Sequence, residues 1–184
     1  AKAALSHTGS LVGSDQVFTA ACARAGLLRV SGTGDWQDTI TAVRCLPLLT
    51  GPRIGVATPS GALGIVAMDA LEREGLVPGP LPEEILRVVE PQGPYWHALH
   101  NPVDLWPIGM TTGDFLKVAG ETLRGFLASP PIDGVLCLLP ALKSPLQSNI
   151  IADRKFFAGL ELSRWQKPLV VSLYGDGREL VRRE

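Results

Sequence analysis

The sequence lacks several features that define large classes of protein. Charged residues make up 19% of the 184 residues, the net charge is −1, and there is no basic run. A non-specific nucleic-acid binder needs a clustered positive face, so we expect no nucleic-acid partner. No apolar run approaches the roughly eighteen residues that a membrane span needs. No signal peptide is recognised either, and we therefore expect a soluble, cytoplasmic protein without a membrane partner.

Cysteine is also scarce, and its spacing excludes a common metal site. Cys22, Cys45 and Cys137 lie far apart, and neither a CxxC pair nor a Cys/His ligand spacing is present. The simplest interpretation is three reduced thiols in a cytosolic protein. Hydrophobic residues, by contrast, are abundant and make up 46% of the chain. That fraction supports a packed core, and the length suits one domain or two small ones.

The order of the hydrophobic patterns predicts an α/β fold. Short apolar strands alternate with longer helical patterns, which is typical of a parallel sheet with helices on both faces. The turn at 50–52 is interpreted as the boundary between two domains. The predicted strands are 27–30, 53–57, 134–139 and 168–174, and the predicted helices are 14–26, 35–47, 61–74, 82–90, 113–128 and 149–166. Sites in such sheets lie where the strands end, so we expect 60–61, the loop after 139, and 175–177 to share one edge.

Two short segments carry the candidate chemistry. His7 lies on a small, glycine-flanked loop, and its imidazole is a possible nucleophile. The second segment is a strand-to-helix turn whose backbone N–H groups and helix dipole suit an anion. It consists of Ser60, Gly61, Ala62, Leu63 and Gly64. Simpler interpretations exist, because junctions of this kind favour small residues and a lone histidine in a polar loop is usually a solvated side chain.

The long segment 91–113 holds four prolines and two histidines and is predicted to be a loop. His97 and His100 have HxxH spacing but no evident third ligand, so we predict no metal site. Residues 101–105 are interpreted as a buried structural turn, in which Asp104 caps or hydrogen-bonds nearby backbone. The tryptophans are assigned to the core or to an interface. They are Trp36, Trp96, Trp106 and Trp165.

These segments together resemble one family of enzymes. Residues 3–15 are similar to the phosphohistidine segment of NDP-forming acyl-CoA synthetases, a family that includes ADP-forming acetyl-CoA synthetase and, more distantly, succinyl-CoA synthetase. Residues 53–69 resemble the start of that family's ligase domain, and 101–105 resemble its hallmark loop. The resemblance implies that residues 1–50 are the C-terminal part of the phosphohistidine-bearing α/β domain. Residues 51–184 would then be a flavodoxin-like ligase-CoA domain, C-terminally incomplete.

The resemblance also implies a mechanism. Acyl-CoA and phosphate give an acyl phosphate, whose phosphoryl group moves to a histidine and then to ADP or GDP. His7 would be that histidine, and the turn from Ser60 to Gly64 would be one of two helix N-termini that hold its phosphate. CoA and ATP or ADP with Mg²⁺ would serve the complete enzyme and be bound mostly outside this chain. The expected partners are a small acid, phosphate, and CoA-binding and ATP-grasp domains or subunits; a homo-oligomer is compatible with the family.

Two observations leave open an alternative to the enzyme, a non-catalytic regulatory module. The family turn often reads Asn-Ala-Gly-Gly, whereas here Pro59 removes one N–H and Ala62 narrows the approach of an anion. The same domains also occur fused to protein acetyltransferases, where they serve as non-catalytic regulatory modules. An intact histidine segment favours the enzyme, and we expect the isolated fragment to be inactive.

Overall fold

A computed structural model gives the structure of the chain and describes residues 13–143 and 152–177. The chain divides into two compact units that part between Cys45 and Leu46. The helices are α1 Asp15–Arg24, α2 Thr33–Cys45, α3 Gly61–Arg73, α4 Glu83–Val88, α5 Trp106–Thr112, α6 Phe115–Ala128 and α7 Arg154–Ala158. The strands are β1 Arg53–Thr58, β2 Val77–Pro78, β3 Val103–Asp104, β4 Gly134–Pro140 and β5 Leu169–Tyr174. The predicted domain assignment of 1–50 and 51–184 stays a prediction.

In the first unit, α1 and α2 are described without any strand among residues 13–45. The predicted strand at 27–30 is therefore wrong for the described chain, since a short apolar run becomes a strand only beside a pairing partner. The spacing of apolar residues along α2 predicts Ile40 and Val43 on a buried face, but both are exposed. Arg29 instead forms an ion pair with Asp15 and lies over the ring of Phe18.

The second unit is built on a parallel sheet with β1 at its centre. β4 pairs with one side of β1, and β5 pairs with the outer side of β4. The other side of β1 carries two short strands in line: β2 pairs with its first residues and β3 with its last. The predicted α/β class with a parallel sheet is confirmed.

The two faces of the sheet are covered by different helices. Ile54 and Val56 point to one face and pack with Ala67 and Leu71 of α3. The alternate residues of β1 and β4 face the other side, where the larger core cluster contains most of the buried face of α6. This alternation follows from the pleat of a strand, which sends successive side chains to opposite faces.

Several predicted elements need correction. The spacing of apolar residues along α3 predicts Ile65 on its buried face, but Ile65 is exposed, and the buried positions are Gly64, Ala67 and Leu71. The predicted helix at 149–166 is, in its described part, the short α7 followed by a 3-10 turn at Leu162–Arg164. The segment predicted to be one loop at 91–113 contains β3 and α5.

An ion pair joins the starts of β1 and β4. Arg53 donates from its backbone N and from Nε to Asp133 Oδ2, at 2.9 Å each, and from Nη2 to Oδ1 at 3.1 Å. The Asp133 side chain is only 8% exposed, so these bonds satisfy a buried carboxylate. The hydrogen bonds from Arg53 lower the pKa of Asp133 to about 2, and the charge of Lys167 acts in the same direction.

We predict an acid-dependent loss of stability that requires Asp133. Its folded pKa lies below the ordinary value of about 3.9, so its contribution is present above about pH 4 and is lost as pH falls towards 2. Asp133→Asn should therefore be less stable than the wild type at pH 7, and the difference should shrink between about pH 4 and pH 2. Urea unfolding across that range measures it. Glu84→Gln, which removes an exposed carboxylate paired with Arg87, is the control. A difference between wild type and Asp133→Asn that does not change with pH would contradict the assignment.

Candidate functional site

The turn between β1 and α3 is built around Ser60. Its backbone is extended, with φ −145° and ψ 106°, and it is the N-cap of α3. Its Oγ accepts a long hydrogen bond of 3.4 Å from Leu63 N, and its carbonyl oxygen accepts from Gly64 N at 2.9 Å. Ser60 N itself donates to the buried Oγ1 of Thr58 at 3.2 Å. The cap thus fixes where the helix begins.

Two N–H groups at this helix start are open to a ligand. Within the described residues, the backbone N–H groups of Gly61 and Ala62 have no protein acceptor, and both residues are exposed. The first N–H groups of a helix have no partner inside the helix, and its dipole places positive charge at the same end. The turn can therefore donate two hydrogen bonds to an anion such as a phosphoryl group.

Residues 101–105 form the support under this turn. Asn101 precedes a cis Pro102, and a Cβ on Gly64 would lie 3.0 Å from Cγ of that proline. Leu105 N donates to the carbonyl oxygen of Thr58 at 2.8 Å, directly after β3 has paired with β1. The proline ring packed under the first turn of α3 explains why Gly64 is small.

The side chain of Asn101 takes the place of a strand residue. Its Oδ1 accepts from Val56 N at 2.9 Å, and its Nδ2 donates to the carbonyl oxygens of Ile54 and Gly79 at 2.8 Å each. These bonds lie between the short pairings of β2 and β3 with β1. The structural turn predicted for this loop is present, but the sequence did not single out the amide of Asn101.

The carboxylate of Asp104 lies beside the open N–H groups. Its Oδ1 accepts from Trp106 N at 3.0 Å, which is the backbone capping predicted for it. Its Oδ2 lies 3.1 Å from the position that a Cβ on Gly61 would take. His97 Nε2 lies 3.2 Å from the Asp104 carbonyl oxygen. The backbone donors therefore fit a phosphoryl group, whereas the adjacent carboxylate opposes one.

Other predicted positions are distributed as follows. The loops after β4 and β5 meet, since Gly177 N donates to Ala141 O at 2.7 Å and Lys143 N to Asp176 Oδ1 at 3.1 Å. His7 lies outside the described residues.

Over the part of the chain that is described, no group of three or more metal-ligating side chains is present. None of the described helices is long and apolar enough to cross a bilayer.

The thiols and tryptophans separate into buried and exposed members. Burial raises the pKa of the Cys137 thiol to about 12, so it is unreactive, and Cys22 is also buried, whereas Cys45 is exposed. Trp165 packs against the core, as predicted. Trp36, Trp96 and Trp106 are exposed in the described chain, so they do not lie in its core, and the predicted alternative, an interface, stays a prediction for them.

Comparison with known proteins agrees with this architecture. The family profile of the succinyl-CoA ligase like flavodoxin domain matches residues 1–43. The ADP-forming acetate–CoA ligase I subunit alpha of Pyrococcus furiosus is 36% identical over 177 residues, which are 95% of this chain and 36% of the relative. The ADP-forming 4-hydroxybutyrate–CoA ligase of Nitrosopumilus maritimus is 30% identical over 185 residues, or 100% of this chain and 25% of the relative.

A solved structure gives the same fold. The dinucleotide forming acetyl-coenzyme A synthetase 1 of Ca. Korarchaeum cryptofilum, in complex with phosphate and ADP, superposes with a TM-score of 0.74 at 23% identity. The match covers 98% of this chain and 38% of that one. The predicted flavodoxin-like fold of the ligase domain is confirmed. The predicted resemblance to the NDP-forming acyl-CoA synthetase family is confirmed by these relatives, and the chain spans only about a quarter to a third of their length.

The amide of Asn101 gives a test of the support under the turn. Asn101→Ala would leave Val56 N–H and the carbonyl groups of Ile54 and Gly79 without these partners. We expect a loss of about 2–6 kcal/mol in the free energy of unfolding, because the Val56 N–H and the Gly79 carbonyl lose their partner at about 1–3 kcal/mol each, whereas the Ile54 carbonyl still accepts from Gly79 N. Urea unfolding at pH 7 measures it. Gln92→Ala, which removes a half-buried amide bonded away from the sheet, should cost about 1 kcal/mol. Equal losses in the two variants would contradict the role of Asn101.

Proposed function

We propose that this chain is part of an NDP-forming acyl-CoA synthetase. The enzyme would interconvert acyl-CoA, ADP and phosphate with the free acid, CoA and ATP. The single observation that carries the proposal is the pair of open N–H groups at Gly61 and Ala62. They belong to the turn that the resemblance matches to a phosphate-binding helix start. It is supported by two relatives named as ADP-forming acid–CoA ligases.

The phosphoryl group would pass through His7. Phosphate attacks the thioester and releases CoA, which leaves an acyl phosphate. An imidazole nitrogen of His7 then attacks phosphorus, so that the P–O bond to the acid breaks and a P–N bond forms. In the last step the P–N bond breaks as the ADP oxygen takes the phosphoryl group. The turn from Ser60 to Gly64 would hold the phosphoryl group by hydrogen bonds and dipole charge, since such a transfer depends on positioning and electrostatic stabilisation.

The larger substrates would be held mostly by other parts of the enzyme. CoA would bind to a CoA-binding domain, and ADP or ATP with Mg²⁺ to ATP-grasp domains or subunits. The cation would neutralise the charge of the nucleotide phosphates. The acid would be a small carboxylate, because the two relatives act on acetate and 4-hydroxybutyrate by name. We propose a cytoplasmic location for this reaction.

The alternative function, a non-catalytic regulatory module, has less support than the enzyme. A non-catalytic module of a protein acetyltransferase need not retain a nucleophile, whereas this chain retains His7 in its small, glycine-flanked segment. Both relatives described above are named as ligases. We therefore favour the enzyme.

Phosphohistidine formation is the direct test. The complete enzyme, incubated with γ-labelled ATP and Mg²⁺, should take up acid-labile, base-stable label. His7→Asn should abolish that label, because the amide nitrogen of asparagine is not nucleophilic and cannot take the place of the imidazole. His100→Asn, which removes an exposed histidine of the second unit, should leave it unchanged. Label that persists in His7→Asn, or that depends on His100, would exclude His7 as the carrier.

A matched pair of variants tests the turn. Gly61→Pro removes one open N–H at the first helical position, where proline is tolerated, and the extended Ser60 suits a residue before proline. Gly61→Ala adds a Cβ at the same place and keeps the N–H. We expect the rate of phosphoryl transfer to fall by about a hundredfold or more in Gly61→Pro, as for other single donors to a transition state. Single-turnover transfer from labelled enzyme to ADP measures it. If both variants slow transfer equally, the loss reflects the added bulk and the N–H has no such role.

A further inference from the structure

A carboxylate lies beside the two open N–H groups. Asp104 Oδ2 is 3.1 Å from the position of a Cβ on Gly61, so the carboxylate lies against the backbone of the first helical residue. The carboxylate is held there in two ways. Asp104 pairs with Thr58 as the last residue of β3, and its Oδ1 accepts from Trp106 N.

This location sets two electrostatic effects against each other. The start of α3 attracts an anion through its open N–H groups and its dipole. The carboxylate repels the same anion, and the repulsion grows with the charge of the anion. A dianion is therefore penalised about twice as much, in free energy, as a monoanion of the same shape.

The charge of Asp104 also acts across the edge of the sheet. Tyr174 lies at the end of β5 and is half-buried. Burial raises the pKa of its phenol, and the negative charge of Asp104 raises it further. The carboxylate therefore influences Tyr174 as well as the turn beside it.

We propose that Asp104 is a specificity-determining residue that weakens the resting affinity of the Gly61–Ala62 N–H groups for dianions. In the proposed phosphoryl relay, this keeps the turn from holding free phosphate between turnovers. The transferring group is delivered covalently on an imidazole, so its occupancy does not depend on a high affinity for the free anion. The role in the relay rests on the proposed function; the effect on anion binding does not.

The test compares two tetrahedral anions of different charge. Sulfate, a dianion, and perchlorate, a monoanion, are titrated into the full 184-residue chain, and the amide ¹H–¹⁵N shifts of Gly61 and Ala62 give the affinities. Asp104→Asn keeps an oxygen that can accept from Trp106 N, and a thermal melt checks that its fold is retained. For a separation of about 6 Å in a water-like dielectric, the variant should bind sulfate about tenfold tighter and perchlorate about threefold tighter.

Asp69→Asn is the matched control. Asp69 is exposed on the same helix, eight residues further along, so it lies about 12 Å from Gly61 along the axis. That distance exceeds the screening length of about 8–10 Å, and this variant should change either affinity by less than about twofold.

Three results would overturn the proposal: equal gains for the two anions, no gain for sulfate, or the same gain in Asp69→Asn. Failure of either anion to shift the Gly61 and Ala62 amides in Asp104→Asn would also overturn it. Labelling of His7 would remain a separate measurement, so that the proposed enzyme can stand while this inference fails. Conversely, Asp104→Asn could bind sulfate more tightly by a larger factor than perchlorate while His7 takes up no label. That result would support the effect of Asp104 on anion binding and exclude the proposed phosphoryl relay.

Discussion

The three hydrogen bonds of the Asn101 amide are the constraint on which the rest of the second unit depends. Two of them join the side chain to Val56 N and Ile54 O of β1, and the third joins it to Gly79 O, directly after β2. Pro102 then packs under Gly64, and Leu105 bonds to the end of β1. The position of the turn at Ser60 is thus set from both sides, by the strand that precedes it and by the loop beneath it.

The elements that could be predicted from sequence are those with strong local signals. β1, β4 and β5 are continuous apolar runs between turn residues, and α3 and α6 have clear caps in Ser60 and Asp114. The turn at Ser60–Gly64 was predicted at the correct helix start, because its small residues directly follow a buried strand. Its function as a phosphate site stays a prediction.

The errors arose where tertiary context overrides local pattern. Three of residues 27–30 are apolar but have no strand to pair with among the described residues, and Ile65 is apolar yet faces outward from α3. The effect of Asn101 could not be predicted because its partners lie 22 to 47 residues away. The same holds for Asp104, whose approach to Gly61 becomes visible only when β3 pairs with β1.

The two short strands beside β1 have a further consequence for self-association. An exposed sheet edge with a regular row of N–H and carbonyl groups invites another chain to add a strand. Here that edge is made of two-residue pieces, and it carries Pro78 and Pro102, which have no N–H to donate. The position between the pieces is occupied by a side-chain amide already bonded inward. An added strand would meet no continuous row of hydrogen-bonding groups here, so the architecture that sets the turn also protects this edge of the sheet from edge-to-edge aggregation.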